Sequence, residues 1–218
     1  PPADSKRTLS SREINILQRW VKQGGRYKAH WSFQPVAAVQ VPAVKNGGWC
    51  RSPIDRFILA GLERAGLPIP IAAEKTALLR RATYDLTGLP PTPDAMEAFL
   101  ADESPRAFEK VVDRLLKSPH YGEKWARHWL DLVRYAESNS YERDDTKPYV
   151  WRFRDYVIRS FNSDKPFDQF AREQLAGDEL EEVTPAGVVA TGYYRLGIWQ
   201  DEPVDREQSR FEDLDDIL

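Results

Sequence analysis

Apolar positions recur at helical spacing along most of the chain, and the stretches are punctuated by a hydroxyl residue followed by proline. Ser52-Pro53, Thr92-Pro93, Ser104-Pro105, Ser118-Pro119 and Thr184-Pro185 each place a capping side chain ahead of a proline suited to the first helical turn. One predicted stripe is Ile54, Phe57, Ile58, Leu62 and Ala65, ending at Gly66. Leu78, Leu79, Ala82 and Leu86 form another, ending at Gly88, and Phe108, Val111, Val112, Leu115 and Leu116 form a third. Short helices are expected around 94–100 and 167–176, with longer ones around 149–162, 185–195 and 205–218. Near the start, Ser10 has Glu13 three residues on, a capping box that opens a helix with Ile14, Leu17 and Val21 as its stripe and Trp20 beside it. Gly24-Gly25 closes that helix. Strand-like alternation is scarce. The expected fold is mainly α, an irregular multi-helix domain of short and medium helices with an extended N-terminal segment.

The extended segment is residues 31–49, where Pro35 and Pro42 oppose helix and Asn46-Gly47-Gly48 makes a turn. The densest stretch of the chain is HYGEKWARHWLDLVRYAESNSYERDDTKPYVWRFRD, residues 120–155. Its first half reads as one amphipathic helix with Tyr121, Trp125, Trp129, Leu132, Val133 and Ala136 on one face. Trp125 and Trp129 are therefore expected to be buried. Lys124, Arg127, Asp131 and Arg134 fall on another face, with His128 at the border, and the His128/Asp131/Arg134 side is expected to meet the Glu142–Asp155 segment.

Composition narrows the classes. The 218 residues carry a formal net charge of -3 and are 30% charged, so no basic field favours nucleic acid. Mean hydropathy is -0.59, and no apolar run is long enough for a membrane span. A single cysteine, Cys50, excludes an intrachain disulfide, a multi-cysteine metal cage and a CxxCH haem attachment within these residues.

Chemistry could reside in several places. His128 and Asp131 are three apart on a helix and can point at one ligand; a metal there would need more donors from Glu137, Glu142, Asp144 or Asp155. The ordinary alternative is a solvated face on which Asp131 pairs with Arg127 or Arg134. Tyr141–Asp145 and Trp151–Tyr156 alternate charge with aromatic rings. Such a pattern can hold a carboxylate, sulfate or phosphate, stack on a sugar, or lock helices together through ion pairs. Acid pairs such as Asp178-Glu179 and Asp201-Glu202 would suit a glycosidase only if two carboxylates faced one cleft. Neither a glycine-rich phosphate loop nor a serine elbow is present.

Longer strings carry a resemblance. HWSFQPV, SPIDRFILAGLERAGL, LLRRATYDLTGLPPTPDAMEAFL, SPHYGEKWARHWLDLVRYAES, WRFRDYVIRSFNSDKPFDQFAREQLAGDEL and RFEDLDDIL resemble the domain of unknown function that follows a cytochrome c domain in large planctomycete-type proteins. PPADSKRTLSSREINILQRWVKQGG resembles the end of that cytochrome c domain. The resemblance implies a cytochrome remnant over residues 1–29 and a helical domain over 30–218 that is truncated at its C-terminal end, where the family carries a further cysteine-histidine motif. It implies an exported or periplasmic protein with c-type haem in the full-length chain and none within these residues. The implied partners are its own cytochrome c and C-terminal domains, and a redox partner or polysaccharide. Electron transfer or a redox-linked envelope process is the expected role; a carbohydrate-active hydrolase or lyase and a spacer without a site are the alternatives. Carried over by position, the candidate site residues are His128, Asp131, Arg134, Glu142, Arg152, Asp155 and Asp178, to which the resemblance assigns no roles.

Overall fold

In the computed structural model, which describes residues 8–139, 144–197 and 203–217, the chain is helical and contains no strand among those residues. It divides into two compact units, Pro1–Ile71 and Ala72–Leu218.

The first unit holds α1 (Ser11–Lys22) and α2 (Pro53–Ala65). The predicted capping box is present at α1: Ser10 N–H donates to Glu13 Oε2 at 2.7 Å and Glu13 N–H donates to Ser10 Oγ at 3.3 Å. Ser52 and Asp55 make the same arrangement at α2, and Gly66 closes it with φ of 66°. Between the helices the chain is extended apart from short 3-10 turns at Trp31–Phe33 and Gly47–Trp49, the second falling on the predicted Asn-Gly-Gly turn. The apolar stripe predicted for α2 is not the covered edge. Ile54, Phe57 and Ile58 are exposed and Leu59 is buried. The reason is the segment before α2: Lys45 N–H donates to Glu63 Oε1 at 2.9 Å and Gly47 lies by Arg56. Residues 56, 59 and 63 share one side of the helix, opposite the more hydrophobic one.

The second unit contains α3 (Lys75–Thr87), α4 (Pro93–Ala101), α5 (Ala107–Leu116), α6 (Pro119–Leu132), α7 (Trp151–Asn162), α8 (Phe167–Ala176), α9 (Pro185–Ala190) and α10 (Arg206–Ile217). Thr92, Ser118 and Thr184 cap their helices as expected. The expected helix over 185–195 is instead α9 followed by a 3-10 turn, Thr191–Arg195. Ser104 also departs from expectation: its hydroxyl accepts from Lys110 Nζ at 2.9 Å, its N–H donates to Asp102, and α5 starts three residues later.

Two apolar clusters form the core of this unit. Leu79, Phe99, Ala107, Val111 and Leu115 join α3, α4 and α5. Lys75 Nζ donates to the carbonyl of Asp102 at 2.7 Å and to those of Phe99 and Leu100, satisfying the open end of α4. The larger cluster draws Ala126 and Val133 to Phe153, Tyr156, Val157, Phe170, Ala190 and Leu196. Tyr156 stacks on Phe170, with ring centroids 5.8 Å apart and planes 2° from parallel, and Trp129 meets Phe170 edge-on at 5.0 Å.

The buried face of α6 is rotated from the one expected. Gly122, Ala126 and Val133 are buried, with Trp129 and Leu130 packed beside them, whereas Trp125 is 36% exposed and Leu132 75%. Small residues decide this. A Cβ at Gly122 would lie 2.5 Å from the Ile158 carbonyl and 2.6 Å from the Asn162 side chain, so α7 approaches where no side chain intervenes. Asn162 uses that proximity, accepting from Gly122 N–H at 2.8 Å and donating to the Pro119 carbonyl at 3.1 Å. Trp125, pushed off the interface, packs against Tyr121 and His128.

One carboxylate is buried with its partners in this core. Glu173 on α8 accepts from Tyr156 Oη at 2.8 Å, from Gln169 Nε2 at 2.9 Å and from the Lys165 ammonium. Burial opposes charge on Glu173, but the donors Lys165, Tyr156 and Gln169 outweigh it and hold the carboxyl below its ordinary value. Burial, reinforced by the bond to Glu173, pushes Tyr156 the other way, above the usual phenol range.

Two predictions follow from this packing. Gly122→Ala is expected to destabilise the fold by roughly 1–3 kcal/mol through overpacking, whereas Gly61→Ala, in open space on α2, should be neutral or stabilising by up to about 1 kcal/mol. Chemical denaturation of both variants checks the contrast. Glu173, held low when folded, contributes stability that is complete above its ordinary pKa of 4.5 and is lost as pH falls through the folded value. Glu173→Gln should cost about 3 kcal/mol at pH 7, the low end for breaking a buried pair, and should flatten the acid limb of a stability-against-pH curve.

Candidate functional site

The antiparallel pairing of α6 and α7 brings the end of α6 to the start of α7, and a cleft of about 930 Å³ opens there. Leu132, Val133 and Arg134 form one wall, the 146–153 region a second, and Val188, Val189 and the turn after α9 a third.

Local backbone geometry puts cations in it. After Val133 the chain leaves α6 through a left-handed residue, Arg134 with φ of 56°, and Tyr135 N–H donates back to the Leu130 carbonyl at 2.9 Å. Residues 137–139 then run beside 145–147. Lys147 N–H donates to the Glu137 carbonyl and Asn139 N–H to the Asp145 carbonyl, both at 2.8 Å, around the Ser138–Thr146 bridge. That pairing fixes Lys147, whose ammonium donates to the Gly197 carbonyl at 3.1 Å. Burial first, and then the neighbouring Arg195, push the Lys147 pKa below the ordinary lysine value. Lys147–Val150 fold as a turn into α7, where the Arg152 guanidinium lies 5.2 Å from the Tyr149 ring centre and 5.7 Å from that of Trp151.

The described lining therefore includes Arg134, Lys147, Arg152 and Arg195, with Tyr149, Tyr193 and Tyr194, and contains no aspartate or glutamate. Two nearby acids are engaged elsewhere: Arg154 bonds Glu137 and Asp155, each at 3.2 Å, and Tyr135 Oη donates to Glu137 at 3.2 Å. Burial, then the Glu137 bond, raise the Tyr135 pKa to about 12. Such a lining can attract and orient an anion, and it offers no carboxylate among the described residues for acid-base work.

The candidates read from sequence separate into groups. Arg134 and Arg152 line the cleft. His128 is exposed on α6, its Nε2 3.1 Å from Lys124 Nζ and its ring 5.4 Å from that of Trp125. Asp131 is exposed on the same helix, Asp155 pairs with Arg154, and Asp178 is exposed beyond α8. Glu142 lies outside the described residues. The expected single face of His128, Asp131 and Arg134 is not formed, because the helix ends before Arg134. Lys147 and Arg195 were not singled out from sequence. The signal for Lys147 was its place inside the aromatic-basic stretch DTKPYVWRFR, and for Arg195 the adjacent tyrosine pair. Among the described residues no three His, Cys, Asp or Glu side chains group as a metal site, and no helix is long and apolar enough to cross a membrane.

The described residues form a mainly α fold with a cleft whose described lining combines basic, aromatic and aliphatic side chains. A model of a protein family of unknown function, PSCyt2 (DUF1549), matches residues 53–218, and the chain belongs to that family. No curated protein and no solved structure matches the chain.

Since His128 and Asp131 stand on an exposed face and not in the cleft lining, His128→Ala and Asp131→Asn should each change stability by no more than roughly 0.5 kcal/mol. Thermal melts of the two variants check this.

Proposed function

We propose that this chain is a helical module of an exported, haem-containing planctomycete-type protein that serves electron transfer or a redox-linked envelope process, with the haem held outside these residues. The observation that carries the reading is the state of α1, which lies in the stretch resembling the end of a cytochrome c domain. It is fully capped, yet none of its residues is buried, and Ile14, Leu17 and Trp20 are exposed by 41, 48 and 42%. A capped helix with an uncovered apolar stripe is suited to lying against another body. Its own cytochrome c domain is the partner this reading assigns, with a C-terminal domain following the helical module.

The residues present do not themselves fit a haem. Cys50 is alone and cannot supply the paired thioether attachment, and Met96 packs against the Leu79–Phe99 cluster. The hydrolase reading draws less support: Asp131, Asp155 and Asp178 do not share the cleft.

Expression of the full-length protein with c-type maturation tests the proposal. Covalent haem and a reducible c-type spectrum are expected, and a full-length product without haem overturns it. In that protein Leu17→Glu should cost about 2 kcal/mol of stability, the value of one buried leucine side chain. The same change in the 218-residue chain should cost little, because Leu17 is exposed there.

A further inference from the structure

We infer that the cleft between the end of α6 and the start of α7 binds a ring-bearing oxyanion, a sugar carrying sulfate or carboxylate, with Arg152 and Lys147 as the charge-recognising residues. The inference rests on the cleft alone and is independent of the haem reading.

Three observations carry it. The first is size: about 930 Å³ lies in the upper part of the range of small-molecule sites and exceeds what a bare inorganic anion needs. The second is electrostatic. Lys147 and Arg152 both line the cleft, and no aspartate or glutamate does so among the described residues, so the two cations can meet an anion there. The third is the identity of the non-cationic lining. Tyr149 is 69% exposed and Tyr194 41%, so aromatic surface is accessible at the same cleft as the cations, one face of Tyr149 being covered by Arg152.

Arg152 and Lys147 would divide the work. Arg152 is exposed and held over Tyr149 and Trp151, which leaves its planar fork oriented and its donors available for a bidentate bond to sulfate or carboxylate. Lys147 is half-buried, spends one donor on the Gly197 carbonyl and can point another at the ligand. The accessible tyrosine surface then provides a face for the sugar. A nucleotide is the less favoured occupant because the chain lacks a glycine-rich phosphate loop.

Isothermal titration of the 218-residue chain with a sulfated tetrasaccharide, a uronate tetrasaccharide, the neutral tetrasaccharide and inorganic sulfate tests the inference. One or both charged sugars should bind, more weakly as salt rises, and the two arms tell sulfate from carboxylate recognition. Arg152→Gln should weaken that binding by roughly tenfold, the scale of one charge-assisted hydrogen bond, with an unchanged melting curve. Lys147→Gln provides a second variant, and Arg80→Gln, which lies over Tyr84 on α3, is the control expected to bind as the parent does. The inference is overturned if neither charged sugar binds, if the neutral sugar binds equally, if inorganic sulfate binds as tightly as the sugars, or if both cleft variants retain full affinity.

Discussion

The close approach of α6 and α7 at Gly122 is the constraint on which the second unit depends. With no side chain at that position, the Ile158 carbonyl and the Asn162 amide come within reach of the α6 backbone, and Asn162 ties the two helices by bonding Gly122 and Pro119. Because the helices run antiparallel, fixing the start of α6 against the end of α7 also fixes the opposite pair of ends. Those ends are Leu132–Arg134 and Lys147–Phe153, two walls of the cleft. The cleft thus owes its position to packing at the far end of the same helix pair. A second close approach, Gly177 against Gly187, sets α8 beside α9, whose Val188 and Val189 complete the enclosure.

Charge is sorted along this frame. The buried acid Glu173 is saturated by Lys165, Tyr156 and Gln169, and no buried side-chain polar atom among the described residues lacks a partner. A saturated network of this kind ties α7 to α8 and stabilises through specificity of pairing more than through net energy, since two charges have been taken from water to make it. Near the cleft, Glu137 and Asp155 are held by Arg154 on the helix side of Arg152. With those two acids held by Arg154, the described lining carries basic residues and no carboxylate, in a chain whose net charge is slightly negative.

Helix existence and helix ends were legible in the sequence because they depend on local chemistry. Ser10 with Glu13, Ser52-Pro53, Thr92-Pro93, Gly66 and Gly88 each satisfy orphan backbone groups using neighbours a few residues away. Helix faces were less legible. On α6 and α2 the hydrophobic pattern selected Trp125 and Ile58, while the buried positions are Gly122, Ala126 and Leu59, set by what packs against each helix. A glycine or alanine contributes little to an apolar stripe, yet it determines how near a partner helix can come. Ser104 failed for a related reason, its hydroxyl being claimed by Lys110 from the next helix turn.

The candidate site was half legible on the same grounds. Arg134 and Arg152 were readable as members of a basic-aromatic stretch, but their grouping with Lys147 and Arg195 depends on a left-handed turn, a short backbone pairing of 137–139 with 145–147 and a 3-10 segment distant in sequence. The left-handed close at Arg134 has the largest effect. Had α6 continued, Arg134 would have stayed with Asp131 on an exposed face; by ending at Leu132 the helix leaves His128 and Asp131 outside and turns the chain into the cleft. Helix termination, more than the identity of the residues on the helix, therefore decides which charges of the densest stretch share a surface.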